Sequence, residues 1–128
     1  MPSGPAPVAT DEAVELVANL MQWKKIRHVP VEDNAHRLIG IISQSGIVRL
    51  VAERTAELGK GPIAVREVMS TEIISVTPET STLDAIALMR DHSVGCLPVL
   101  KDGRLVGIVT EHDFLIIAGK LLEKELRA

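Results

Sequence analysis

The residues that could do chemistry in this 128-residue chain gather at Gly107-Ile108-Val109-Thr110-Glu111-His112-Asp113. There an apolar run ends in a hydroxyl, and a carboxylate follows three residues later. Leu105, Val106, Ile108 and Val109 read as a buried strand, and Phe114 opens an apolar helix. The first turn of a helix exposes backbone N–H groups and the positive end of the helix dipole, which favour anions. A carboxylate beside them can accept hydrogen bonds from two neighbouring sugar hydroxyls, as the acid of a dinucleotide site does. Hydroxyl, helix start and acid together could hold a ribose and its phosphate. Thr-x-x-Asp is also a capping box, in which the two side chains satisfy N–H groups of their own helix. Ser81-Thr82-Leu83-Asp84 has the same spacing, so spacing alone leaves both possibilities open.

Other reactive constellations are weaker. Trp23-Lys24-Lys25-Ile26-Arg27-His28 mixes an aromatic with positive charge, but one aromatic makes a poor stacking platform for nucleic acid. Cys96, His92, His112 and Asp113 match no compact zinc spacing, and Cys96 reads as a small buried residue. Gly59-Lys60-Gly61 is too short for a phosphate-binding loop and follows a helix rather than a strand. No nucleophile–base pair or converging carboxylate pair appears, so the expectation is a non-enzyme with no catalytic residues, no metal and no resident cofactor.

Composition sets the class. Hydrophobic residues make up 46% and charged residues 24%, the balance of a globular chain, and the length suits one compact domain. Trp23 and Phe114 are the only aromatics, so the core must be aliphatic. A net charge of −3 argues against broad nucleic-acid or membrane-surface binding. A single cysteine excludes an internal disulfide and suits a reducing compartment. No apolar run reaches the ~18 residues of a membrane span and no secretion-type leader is visible, so a cytoplasmic protein is expected. The abrupt start before the first helix points to a piece of a larger protein.

The elements that must position these residues follow from periodicity. Residues 1–7 form an irregular lead. From Asp11 a helix shows Val14, Val17, Ala18 and Met21 at helical spacing, and Ala13, Leu16, Val17 and Leu20 as well, an apolar arc wide enough to pack on two sides. Strand Val29–Val31, a polar turn over 32–37 and strand Leu38–Ile42 follow. A helix from Ser43 turns Ile47, Leu50 and Val51 inward and is stopped by Gly59-Lys60-Gly61-Pro62. The second half expects strand Ile73–Val76, a turn at Thr77-Pro78, and helix Ser81–Arg90 carrying Leu83, Ala85, Ile86, Leu88 and Met89. Strands Leu97–Leu100 and Leu105–Val109 then flank a tight Lys101–Arg104 turn. The last helix runs from about Glu111 to Leu126, with Phe114, Ile117, Ala118 and Leu121 on one face and a Glu123–Arg127 pair at its end.

These halves repeat. Met21 and Met89 are 68 positions apart, as are Pro30 and Pro98, while Gly40 and Gly107 are 67 apart. Half a chain this size has too few strands to cover its own apolar faces, so the two copies should pack together.

Leu97-Pro98-Val99, the Asp102-Gly103 turn and Gly107 to Asp113, led in by Val65-Arg66-Glu67-Val68-Met69-Ser70 and a helix ending in Leu88-Met89, resemble the cystathionine-β-synthase (CBS) domain motif. The resemblance covers Val65 to Leu122 in full and, without a matching lead-in, about Val8 to Leu58. Tandem pairs of this kind are similar to Bateman modules, which commonly bind adenosine-containing ligands in the cleft between repeats and regulate an attached or partner protein. The resemblance implies that Asp113 binds the ribose hydroxyls, Thr110 a phosphate or ribose oxygen, and that His112 points toward the phosphate. Ile108 would line the base pocket, with Ile26, Arg27, His28 and Pro30 opposite and Val8 near the base. In the other cleft Ser43 matches the hydroxyl, but Gly46 stands at the aspartate position. Val94, Gly95 and Cys96 would still offer a small wall, so that site should be weak or empty. Losing a charge-assisted hydrogen bond costs about 1.5–3 kcal/mol.

The expected fold is α/β: two CBS-type β-α-β-β-α repeats with pseudo-two-fold symmetry, over residues 8–61 and 62–128. The expected function is a regulatory module sensing AMP, ADP, ATP or S-adenosylmethionine. The alternative is a dimerisation or docking module whose Thr110–Asp113 pair only caps a helix. The family's habit of pairing through its helices implies a homodimer, with a fused or partner effector protein.

Overall fold

The computed structural model describes residues 7–127, with side chains to residue 126. The chain divides into two compact units, residues 7–73 and 74–127, rather than one. Each builds its own aliphatic core.

The first unit runs β1 (Val8–Ala9), α1 (Val14–Lys24), β2 (His28–Glu32), β3 (Leu38–Ser43) and α2 (Gln44–Glu53). Its sheet has the order β1-β2-β3, with β1 parallel and β3 antiparallel to β2. Val14, Val17 and Met21 of α1 meet Val29, Val31, Ile42, Leu50 and Val65 in the core. Leu16, expected on the packed arc, is 60% exposed, while Ala13 and Leu20 of the same stripe are half-buried. No side chain caps the start of α1; the Ile63 carbonyl takes the Val14 N–H instead, at 2.8 Å. α2 ends at Glu53, well before the glycines expected to stop it. The Thr55 hydroxyl donates to the Val51 carbonyl at 3.0 Å and the Arg54 N–H to Leu50 at 2.9 Å, satisfying the last turn early. Leu50 is buried and Ile47 packs against the core, whereas Val51, expected inside, is 45% exposed.

The chain then returns to the same core. Ile63, Val65, Val68 and Met69 pack there. Ser70 bridges the outer edge of β3 through paired backbone bonds with Ile41, at 2.9 and 2.8 Å. Gly40 permits this approach, because a side chain there would collide with Met69.

The second unit repeats the plan with α3 (Thr82–His92), β4 (Cys96–Lys101), β5 (Arg104–Thr110) and α4 (Glu111–Arg127). Its core is Val76, Ala85, Met89, Leu97, Val99 and Val109, with Phe114 packed against it. Leu83, placed on the apolar face by periodicity, is exposed. The strand expected over Ile73–Val76 is a single parallel bridge, Val76 to Val99. The next rung on either side would need the N–H of Pro98 or of Pro78, and proline has none. Asp102 and Gly103, both at positive φ, form the tight turn between β4 and β5. A bulge recurs at matching places, opposite Val31/Glu32 and opposite Val99/Leu100. The two parallel pairings, Val8 with Val31 and Val76 with Val99, are 68 positions apart in both members. The expected Glu123–Arg127 pair involves a side chain outside those described, as does most of the irregular lead.

Candidate functional site

Strand register decides which residues leave the core. On β5, Val109 faces the core and Ile108 the opposite side of the sheet, since neighbours on a strand alternate. Ile108 pairs with Pro98, and Thr110 with Cys96. Cys96, Pro98, Ile108 and Thr110 therefore form a patch on the face away from the core. The first unit builds the same patch from His28, Pro30, Ile41 and Ser43, paired His28 with Ser43 and Pro30 with Ile41. Ile41 was not singled out from the sequence, although the 67-residue step from Ile108 points to it.

Thr110 ends β5 and precedes the first turn of α4. The Thr110 N–H donates to Asp113 Oδ2 at 2.8 Å and its hydroxyl to the same oxygen at 3.1 Å. The Asp113 N–H reaches back to Thr110 Oγ1 at a longer 3.4 Å. The capping box is thus formed, with the carboxylate half-buried and both bonds on Oδ2. Oδ1 accepts no hydrogen bond among the described residues. The other two hydroxyl-headed helices differ. Ser43 Oγ accepts from the Gly46 N–H at 3.0 Å and Ser81 Oγ from the Asp84 N–H at 3.1 Å, with no carboxylate returning to either. α4 is the helix whose first turn joins a half-buried hydroxyl to a half-buried acid.

The remaining expected site residues divide between the units. In the first, Val8 and Ile26 are half-buried against the core, Pro30 is fully buried, and His28 is half-buried. Arg27 is exposed, and its carbonyl accepts the Gln44 N–H at the start of α2. In the second, Ile108 is buried and His112 exposed. Val94 packs against the core, and the Gly95 carbonyl accepts the Glu111 N–H at 3.1 Å. Cys96 is buried, and desolvation pushes its thiol up to about 11, which keeps it neutral and unreactive near pH 7. Gly46 leaves the equivalent position in the first unit without an acid, and α2 has none in its first turn.

Among the described residues no group of histidine, cysteine and acidic side chains could hold a metal ion, and no helix is long and apolar enough to cross a membrane.

Comparison with known proteins adds what geometry leaves open. The chain is 31% identical over 108 residues to the homoserine O-acetyltransferase of Methanohalophilus mahii, covering 84% of this chain but 21% of that protein. It therefore spans about a fifth of that relative's length. The AcuB protein of Vibrio cholerae has a solved structure with a TM-score of 0.78 and 34% identity, covering all of this chain and 93% of that one. CBSX2, solved in complex with AMP, follows at a TM-score of 0.75 and 27% identity, covering 91% and 88%. The sequence pattern of the CBS domain matches twice, over residues 1–53 and 65–119. Two matched segments, a 68-residue structural repeat and neighbours of the same architecture place this chain in the CBS domain family, as a tandem pair.

Proposed function

We propose that this chain is a regulatory module that senses an adenosine-containing ligand, with AMP the first candidate, and that Asp113 is the residue that grips the ribose. The observation that carries this is the half-buried Asp113 carboxylate at the start of α4, held by Thr110 through Oδ2 while Oδ1 makes no bond among the described residues. A cap that fixes one oxygen orients the other, and an oriented carboxylate loses little entropy on accepting a hydroxyl. AMP bound to CBSX2 supports the choice of ligand. Thr110 would meet a phosphate or ribose oxygen and His112 the phosphate. Ile108 would line the base, and Ile26, Arg27, His28, Pro30 and Val8 belong to the site as the family resemblance implies. The counterpart site with Ser43, Val94, Gly95 and Cys96, lacking an acid at Gly46, binds weakly or not at all. The protein acts as a cytoplasmic homodimer that controls a fused or partner effector and does no chemistry itself.

The formed capping box favours a second reading, a docking module whose Asp113 only stabilises α4. Calorimetric titration with AMP, adenosine and adenine separates the two. The sensing reading expects AMP to bind at one site per chain and to lose roughly ten- to a hundredfold in affinity with Asp113→Ala, the range for one charge-assisted hydrogen bond. Equal binding of adenine and AMP, or no binding across adenine nucleotides and S-adenosylmethionine, would favour docking.

A further inference from the structure

α1 carries on its outer side what the matching helix of the second unit lacks. Leu16, Leu20 and Trp23 share one line of α1, at steps of four and three residues. Leu20 is half-buried, but Leu16 is 60% and Trp23 80% exposed. Lys24, Lys25 and Arg27 follow at the C-terminal end of α1, all exposed, and none forms an ion pair among the described residues. The second unit is the internal control. The 68-residue step sets Leu88 against Leu20, both half-buried, so that position serves the fold. Against Leu16 and Trp23 it sets Asp84 and Asp91, both exposed, and against Lys24, Lys25 and Arg27 it sets His92, Ser93 and Gly95. The same helix therefore forms without the two exposed apolar side chains and without the three cations. Lys24 alone answers the negative end of the helix dipole.

On the reading that the module controls an effector, we infer that this face of α1 docks an acidic amphipathic helix of that effector. An exposed tryptophan in line with an exposed leucine gains most by burial against apolar side chains, and tryptophan is a frequent anchor of such contacts. Leu16 and Trp23 stand seven residues apart, roughly 10 Å along the axis, a span that a partner helix matches with apolar residues two turns apart. The unpaired cations call for acids on the partner at the Trp23 end. Asp11, Glu12 and Glu15 gather at the other end of α1, so a partner with acids at one end is held in one direction only. A net charge of −3 opposes an extended anionic surface such as a bilayer or a nucleic acid, which meets the charge of the whole chain. A short acidic segment over three cations escapes most of that repulsion, because screening confines it to its near neighbours.

The test selects binders from a displayed library of helical peptides randomised on one face, using the full chain beside Leu16→Asp and Lys24→Glu/Lys25→Glu chains. Leu16→Asp copies the second unit at an exposed position, so circular dichroism should not change. Wild type is expected to enrich peptides with apolar residues two turns apart and acids at one end. Such a peptide should shift the emission of Trp23, the only tryptophan, to the blue, and should bind either variant roughly tenfold more weakly. Peptides that bind both variants as well as wild type overturn this surface and leave an effector contact elsewhere standing. Enrichment of basic or uncharged peptides, or of none, overturns the acidic helix as occupant. So does a blue shift produced instead by phosphatidylglycerol vesicles, which assigns the face to a bilayer, or by concentrating the protein alone, which assigns it to a second copy. AMP titration of the same wild-type chain decides the sensing reading separately.

Discussion

A methyl group added at Gly40 has no room, and the size of that conflict can be worked out. Its Cβ would lie 2.7 Å from Met69 Sδ, 3.1 Å from Met69 Cγ and 3.1 Å from the Ser70 carbonyl oxygen. The methionine can swing aside, but Ser70 is held to Ile41 by two backbone bonds. Overpacking of this kind costs about 1–3 kcal/mol. Replacing glycine also removes freedom from the unfolded chain, worth about 0.4–1 kcal/mol in the opposite direction. Gly40→Ala should therefore destabilise the protein by about 1–2 kcal/mol net, the overpacking winning. Met69→Ala removes the two nearest atoms, at a cost of its own of about 2 kcal/mol for a half-buried methionine. The double variant should be more stable than the sum of the single losses predicts, with a coupling of about 1 kcal/mol. Urea unfolding followed by circular dichroism measures all four corners; Trp23, 80% exposed, would report little of the core. If the two losses simply add, Met69 is not what fills the space beside Gly40, and the account of how the 63–70 segment seals β3 is wrong.

The other predictions concern titration and caps. The folded Cys96 thiol titrates near 11 against an ordinary 9.0, so its burial stabilises fully below pH 9 and that contribution is lost as pH rises toward 11. The stability gap between wild type and Cys96→Ala should narrow across that window, and thiol reagents at pH 7.5 should label Cys96 only in denaturant. Glu67 accepts the Ala64 N–H and pairs with Arg54, both of which hold its carboxyl below the ordinary 4.5. Its contribution is present above 4.5 and is lost as pH falls below that toward the lowered value of the folded protein, so acid titration of Glu67→Gln should show a shallower loss than wild type. Ser43→Ala removes the hydroxyl that caps Gly46 and should cost about 1 kcal/mol in urea. Asp113→Asn, which keeps an oxygen for Thr110, should lose less stability than Asp113→Ala while still losing AMP affinity; equal affinities for AMP in wild type and Asp113→Asn would exclude a charge-assisted grip.

Local sequence determined the elements and their repetition. Among the described residues, apolar periodicity placed the four α-helices and both hairpins, because one buried stripe per helix and one core face per strand leave a mark at 3.6 and 2 residues. The step from Pro30 to Pro98 found the duplication, whereas Thr110-x-x-Asp113 and Ser81-x-x-Asp84 share one spacing, and only the structure shows the acid meeting its hydroxyl at Thr110. Tertiary structure decided what a pattern of apolar residues cannot express. Leu16, Val51 and Leu83 sit at helical spacing yet face outward, since spacing records which residues share a face and not which face finds a partner. The backbone ladder alone reduced Ile73–Val76 to one bridge, because the missing N–H groups belong to prolines that pairing brings together. The chain after α2 returns to seal the first core through contacts far apart in sequence. At Asp113 the sequence named the residue, and folding fixed its geometry: Oδ2 is drawn onto the Thr110 N–H and hydroxyl, while Oδ1 accepts no hydrogen bond among the described residues.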